Sequence, residues 1–131
     1  PILIEANSPE NEAVLLNLAG KLSETVQLTD SAKRGIIHLS AVFACNFVNH
    51  LYAIAAKLLE ENNMEFRILL PLIRETCLKA GTMHPVAAQT GPAVRKDTNV
   101  LESHLSALQK HPDFQEIYKK ISDSISSFPK E

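Results

Sequence analysis

The sequence predicts a mainly α-helical chain, and three observations carry that expectation. A stretch from about Asp30 to Asn62 has no proline and is apolar on nearly every side; helical spacing of apolar residues recurs in the segments that follow; and the only β-prone runs are two short ones near the N-terminus. At 1.5 Å per residue the long stretch would span on the order of 45 to 50 Å. A chain of 131 residues cannot cover such a rod alone, so something outside it is expected to share this spine.

In chain order, PILIEA, residues 1 to 6, is an apolar run that reads as a buried strand. It has no initiating Met, and the expectation is a cut within a longer protein. Ser8 then offers an N-cap with Pro9 at the first helical position, and Val14, Leu15, Leu18, Ala19 and Leu22 give a stripe to about Ser23. Gly20 weakens the last turn by about 1 kcal/mol relative to Ala. Thr25 to Leu28 is β-prone. The opening is therefore strand, helix, strand, and because a lone strand pair is marginal in water, sheet neighbours are expected beyond it.

The spine carries a polar stripe. At about 100° per residue, Arg34, His38, Cys45, Asn49 and Tyr52 share a sector roughly 60° wide, with Asn46 to one side. Two readings stand: polar groups satisfied by neighbouring backbone, or a face turned to a substrate. Asn62 and Asn63 then mark a turn, and a helix from about Glu65 to Ala80 follows, kinked where Pro71 removes a hydrogen bond and closed by Gly81 as its C′ residue. Residues 81 to 97 have two prolines, two glycines and no helical stripe, and read as the longest irregular segment. Asp97, Thr98 or Asn99 caps the next helix, with Asn99 and Glu102 spaced as a variant capping box and Leu101, Leu105 and Leu108 as its stripe. His111 and Pro112 open the last helix, where Phe114, Ile117, Tyr118, Ile121, Ile125 and Phe128 keep helical spacing until Pro129 stops it.

Composition bounds the function. Hydrophobic content of 45% with 5% aromatics and no Trp makes the core aliphatic. Net charge is −2 with acids and bases interspersed, which argues against a nucleic-acid surface or a polybasic membrane patch. His38, Asn46, Asn49 and His50 interrupt the spine, so no segment is expected to offer the roughly 18 apolar residues of a membrane span, and no signal peptide is present among these residues. Cys45 and Cys77 fall in predicted helices and read as reduced, small buried hydrophobes of a cytoplasmic protein.

Chemistry is sparse. Five histidines raise the question of a metal, but no two share i, i+3 or i+4 spacing, and neither Cys-x-x-Cys nor His-Glu-x-x-His occurs, so no metal is expected. Cys45 and His38 stand roughly 10 Å apart along the helix axis, too far for a nucleophile pair. No Gly-x-Gly-x-x-Gly is present. In QTGPAVRKD, residues 89 to 97, a Gly-Pro turn exposes backbone N–H groups while Arg95 and Lys96 supply positive charge suited to a carboxylate or phosphate. The plain alternative is a solvated loop leading to the Asp97 cap.

At HLSAVFACN, residues 38 to 46, and QTGPAVRKD the chain resembles the second half of proteins that join a Rossmann-like domain to the helical domain of unknown function 2520. These are relatives of deazaflavin-dependent NADP oxidoreductases and, more distantly, of pyrroline-5-carboxylate reductase. The pattern is a His followed eight residues later by Asn, then Leu-Pro-Leu, then Thr-Gly-Pro-x-x-Arg-x-Asp. Here it is met by His38, Asn46, Leu70 to Leu72, Thr90, Gly91, Pro92, Arg95 and Asp97.

The resemblance implies a fold like the C-terminal domain of 6-phosphogluconate dehydrogenase over residues 30 to 131, an all-helical substrate and dimerisation domain, with residues 1 to 29 as the tail of a Rossmann domain. It implies a fragment of an NAD(P)-dependent oxidoreductase, inactive alone, with NAD or NADP on the full-length protein and none on this chain. His38 and Asn46 would orient or protonate a substrate carbonyl or imine, and Thr90, Gly91 and Arg95, with Asn49, would bind a small anionic substrate. The long helix would form a homodimer. The competing class is a non-catalytic helical dimerisation or ligand-sensing module.

Overall fold

The computed structural model describes residues 1–129. They are mainly helical, with one pair of short parallel strands. The chain forms two compact units, Pro1–Ala53 and Ile54–Glu131.

In the first unit β1 (Ile2–Ile4) leads through α1 (Pro9–Gly20) to β2 (Val26–Leu28), and the strands pair in parallel with Ile2 opposite Val26 and Ile4 opposite Leu28. Parallel strands need a crossover, and α1 supplies it. Ser8 caps α1 by accepting from the Asn11 N–H at 3.3 Å, and Pro9 occupies the first turn, as the sequence predicts. The helix ends at Gly20, three residues short of the predicted end, where glycine is the poorest helix former apart from proline. Ile4 and Ala19 are each 5% exposed and make the centre of this unit. Of the predicted stripe of α1 only Ala19 is buried: Val14, Leu15, Leu18 and Leu22 all stand exposed.

The spine is one continuous helix, Ser31–Glu60. It consists of α2 (Ser31–Ala41), a π-helical segment (Val42–Phe47) and α3 (Val48–Glu60). Asp30 caps it, accepting from the Lys33 N–H at 2.8 Å. By length and composition this helix is long and apolar enough to cross a membrane, which corrects the expectation that no segment would be. The polar residues that the sequence reading treats as breaks are outnumbered by the Ile, Leu, Val, Ala and Phe around them. Ile36, Leu39, Phe43 and Phe47 are exposed, and Phe43 meets Phe47 edge to face with centroids 5.0 Å apart.

In the second unit Asn63 takes the left-handed conformation that turns the chain after α3. One 3₁₀ turn, Phe66–Leu69, precedes α4 (Leu70–Thr82). Pro71 therefore sits in the first turn of α4, where its missing N–H is no loss, and the predicted kink is a fresh helix start. Gly81 lies inside α4 rather than beyond it, and Met83 closes the helix in extended conformation. The predicted irregular segment holds two single-turn helices, α5 (Pro85–Ala88) and α6 (Pro92–Arg95), each opened by a proline.

Asp97 caps α7 (Thr98–Ala107) by accepting from the Val100 N–H at 3.3 Å, so Asn99 and Glu102 do not form the box. α8 runs Pro112–Ser127. Gln115 donates to the Leu105 carbonyl at 2.6 Å and His104 meets the Tyr118 hydroxyl at 2.8 Å, which ties α7 to α8. At the start of α8, His111 stacks on Phe114 and reaches Glu61 at 2.7 Å.

Candidate functional site

The π-helical segment decides which side chains of the spine share a face. In an uninterrupted α-helix, His38 and Asn46 would lie roughly 80° apart. Each i→i+5 closure holds one residue more than an α turn, so residues beyond Val42–Phe47 fall back by about one residue, roughly 100°. His50 then comes to within about 20° of His38, and Asn46, inside the segment, moves part of the way toward it. Cys45, Asn49 and Tyr52 rotate away, which corrects the stripe expected from even 100° steps. His38, Asn46, Asn49 and His50 are all exposed in the chain alone.

Arg34 has a different engagement. Its guanidinium pairs with the Glu5 carboxylate and lies 3.0 Å from the Ser31 hydroxyl. Glu5 also accepts from the Ser31 hydroxyl at 2.6 Å and from the Ser31 N–H at 3.1 Å. These contacts, the Ser31 hydroxyl foremost, hold the Glu5 carboxyl below the ordinary glutamate range. The cluster pins the end of β1 to the first turn of the spine and leaves Arg34 no part in a ligand-facing stripe.

The turn that carries Thr90, Gly91 and Arg95 belongs to the second unit. Gly91 has φ 110°, a conformation open to glycine and strained for other residues. α6 follows, with Ala93 5% exposed, and the Ser126 hydroxyl of α8 donates to the Ala93 carbonyl at 3.0 Å. Lys96 closes α6 in the left-handed conformation, and Asp97 begins α7 one residue later. The turn is thus fixed at both ends while Thr90, Arg95 and Lys96 remain exposed. Beside it lies a cavity of about 710 Å³ lined in part by His84, Gln89, Val94 and Ser124. Gln89 and Val94 lie in the QTGPAVRKD motif, but sequence reasoning missed His84 and Ser124, because Ser124 is more than thirty positions from Gln89 and no local motif joins them.

Among the described residues no group of three or more His, Cys, Asp and Glu could hold a metal ion. Cys45 and Cys77 are free and exposed, not the buried hydrophobes expected. A dinucleotide pyrophosphate needs a glycine-rich strand-to-helix turn. The turn from β1 to α1 has no glycine and carries the Glu5 carboxylate, so these residues do not fit that group.

Comparison with known proteins gives two findings. A Bacteroides fragilis protein of known crystal structure, named a "putative NADP oxidoreductase", is 48% identical over 95% of this chain, with a TM-score of 0.91. The match covers 48% of that protein, so this chain spans about half its length. No curated protein matches. Residues 1–125 match the family described as Domain of unknown function (DUF2520). With nearly all of its length accounted for by that family, the chain is a member of the DUF2520 family.

Proposed function

We propose that this chain is the substrate-binding and dimerisation part of an NADP-linked oxidoreductase, its helical region arranged like the C-terminal domain of 6-phosphogluconate dehydrogenase. The observation that supports the reading is the π segment, which contains Asn46 and begins one turn after His38 on an exposed stretch of the spine. The name of the B. fragilis relative supports the reaction class.

In this reading His38 supplies the proton that a substrate carbonyl or imine takes up, since imidazole exchanges protons near neutrality. Asn46 orients that group, with Asn49 at its edge. Thr90, Gly91 and Arg95 take the anionic part of the substrate, and Arg95 suits a carboxylate by two parallel hydrogen bonds. NADP is held by other residues, since the β1–α1 turn does not suit it. A homodimer through the spine encloses the His38 face and excludes water from it. The free thiols fit a reducing cytoplasm. Neither nucleic acid nor a membrane is a partner: the charges are interspersed, and Asn46, Asn49 and His50 would be costly in lipid.

A second reading, a non-catalytic helical dimerisation or ligand-sensing module, draws on the apolar exposure of α1 and the spine. One variant separates the two. In the whole enzyme, NADPH oxidation is followed against a panel of 2-oxo and 2-imino acids; His38→Ala lowers turnover by roughly 100-fold, the scale of a lost general acid. Turnover unchanged in that variant favours the module.

A further inference from the structure

We infer that the cavity beside the Thr90–Arg95 turn receives the apolar body of a carboxylate ligand. The inference rests on the reading of that turn as an anion site and adds the substrate class. The cavity, about 710 Å³, falls within the roughly 300–1,000 Å³ of small-molecule sites. Val94, Ile125 and Phe128 give it apolar walls, and His84, Gln89 and Ser124 are its polar points. This mixture is that of a ligand pocket: an apolar lining with a few polar groups that fix orientation.

Two features make the cavity preformed. The bond from Ser126 to the Ala93 carbonyl fastens α6 to α8, two elements that contribute wall residues. Gln89 donates its side-chain N–H to the Thr90 carbonyl at 3.1 Å, which sets its amide at the junction of cavity and turn. Charge gives the polarity of the ligand. Among the described residues no acidic side chain lines the cavity, whereas Arg95 and Lys96 follow directly after the wall residue Val94. A ligand whose body lies against Val94 would extend its head group toward the exposed turn that carries Arg95 and Lys96. A small free anion would leave the apolar walls unused, and a neutral apolar molecule would leave Arg95 unused.

The test uses the full chain, ¹⁵N-labelled, titrated with three probes: 4-phenylbutyrate, its neutral amide 4-phenylbutyramide, and acetate. The expected result is that 4-phenylbutyrate shifts the amide signals of Val86, Gln89 and Val94. It should bind about tenfold or more tighter than either other probe, the scale of a charge-assisted hydrogen bond. Val94→Trp, which fills the cavity, abolishes the effect; Ser124→Phe, from the α8 wall, does the same should the first variant fail to fold by circular dichroism. Acetate matching 4-phenylbutyrate, with binding intact in both filled variants, overturns the cavity inference and leaves the anion turn standing. The amide matching the carboxylate, with Arg95→Lys neutral, upholds the cavity and removes the anion reading. A change of mass by light scattering in both filled variants would make the cavity an interface between copies and overturn the inference.

Discussion

Glu5 shows how one side chain can set the acid limit of a fold. Its carboxyl is held below the ordinary glutamate value of about 4.3 by the Ser31 hydroxyl and N–H and the Arg34 guanidinium. The unfolded chain therefore binds this proton more readily than the folded one. The stability that Glu5 contributes is present above the ordinary value and is lost as pH falls through the lowered one. Thermal melts between pH 6 and pH 3 are expected to show a steeper fall for the native chain than for Glu5→Gln, and equal slopes would remove Glu5 from the acid response. Single residues were also what the sequence displayed best. Ser8, Pro9 and Asp97 act where they were read, because a cap is satisfied by backbone within three positions. Arg34 was misread because its partner, Glu5, is 29 positions away and meets it only through the folding of the β1–α1–β2 unit.

The π segment is the element that sequence periodicity could not supply. Val42–Phe47 has no proline, no glycine and ordinary helix formers, and nothing local distinguishes i→i+5 from i→i+4 closure. The spine itself was legible over nearly its whole length, since thirty apolar-rich residues with no proline and one glycine, Gly35, near the start admit little else. Its phase was not. A π segment acts as one residue in excess, so deleting Ala44 should let the stretch close as plain α-helix with His50 still about 20° from His38 in phase. The deletion is expected to leave helicity by circular dichroism unchanged and the melting temperature level or higher. In an unbroken α-helix the same deletion would swing every later residue by about 100°. A loss of more than about 8 °C, on the order of 2 kcal/mol for a domain this size, would therefore contradict the assignment.

At the scale of the whole molecule the chain is short of interior. Among the described residues only Ile4, Ala19, Ala93 and Leu108 are buried hydrophobic residues, whereas Val14, Leu22, Ile36, Phe43 and Leu72 are each more than 60% exposed. The helical stripes were legible; what covers them was not, because periodicity marks an apolar face without naming its partner. Two-fold pairing through the spine is the commonest way to cover such surface. Phe47→Asp is expected to give monomers or aggregates by light scattering, since an unpaired carboxylate in an apolar contact costs several kcal/mol; an unaltered dimer would exclude Phe47 from the contact. The two-stranded sheet carries a consequence of its own. Among the described residues β1 and β2 pair only with each other, so each presents an outer row of backbone donors and acceptors. Such rows accept any extended chain that meets them. In concentrated solution the β1–β2 pair is the place where copies of this chain would recruit one another into a growing ladder, and a lysine at Leu3 or Gln27 would act as a gatekeeper against fibre growth.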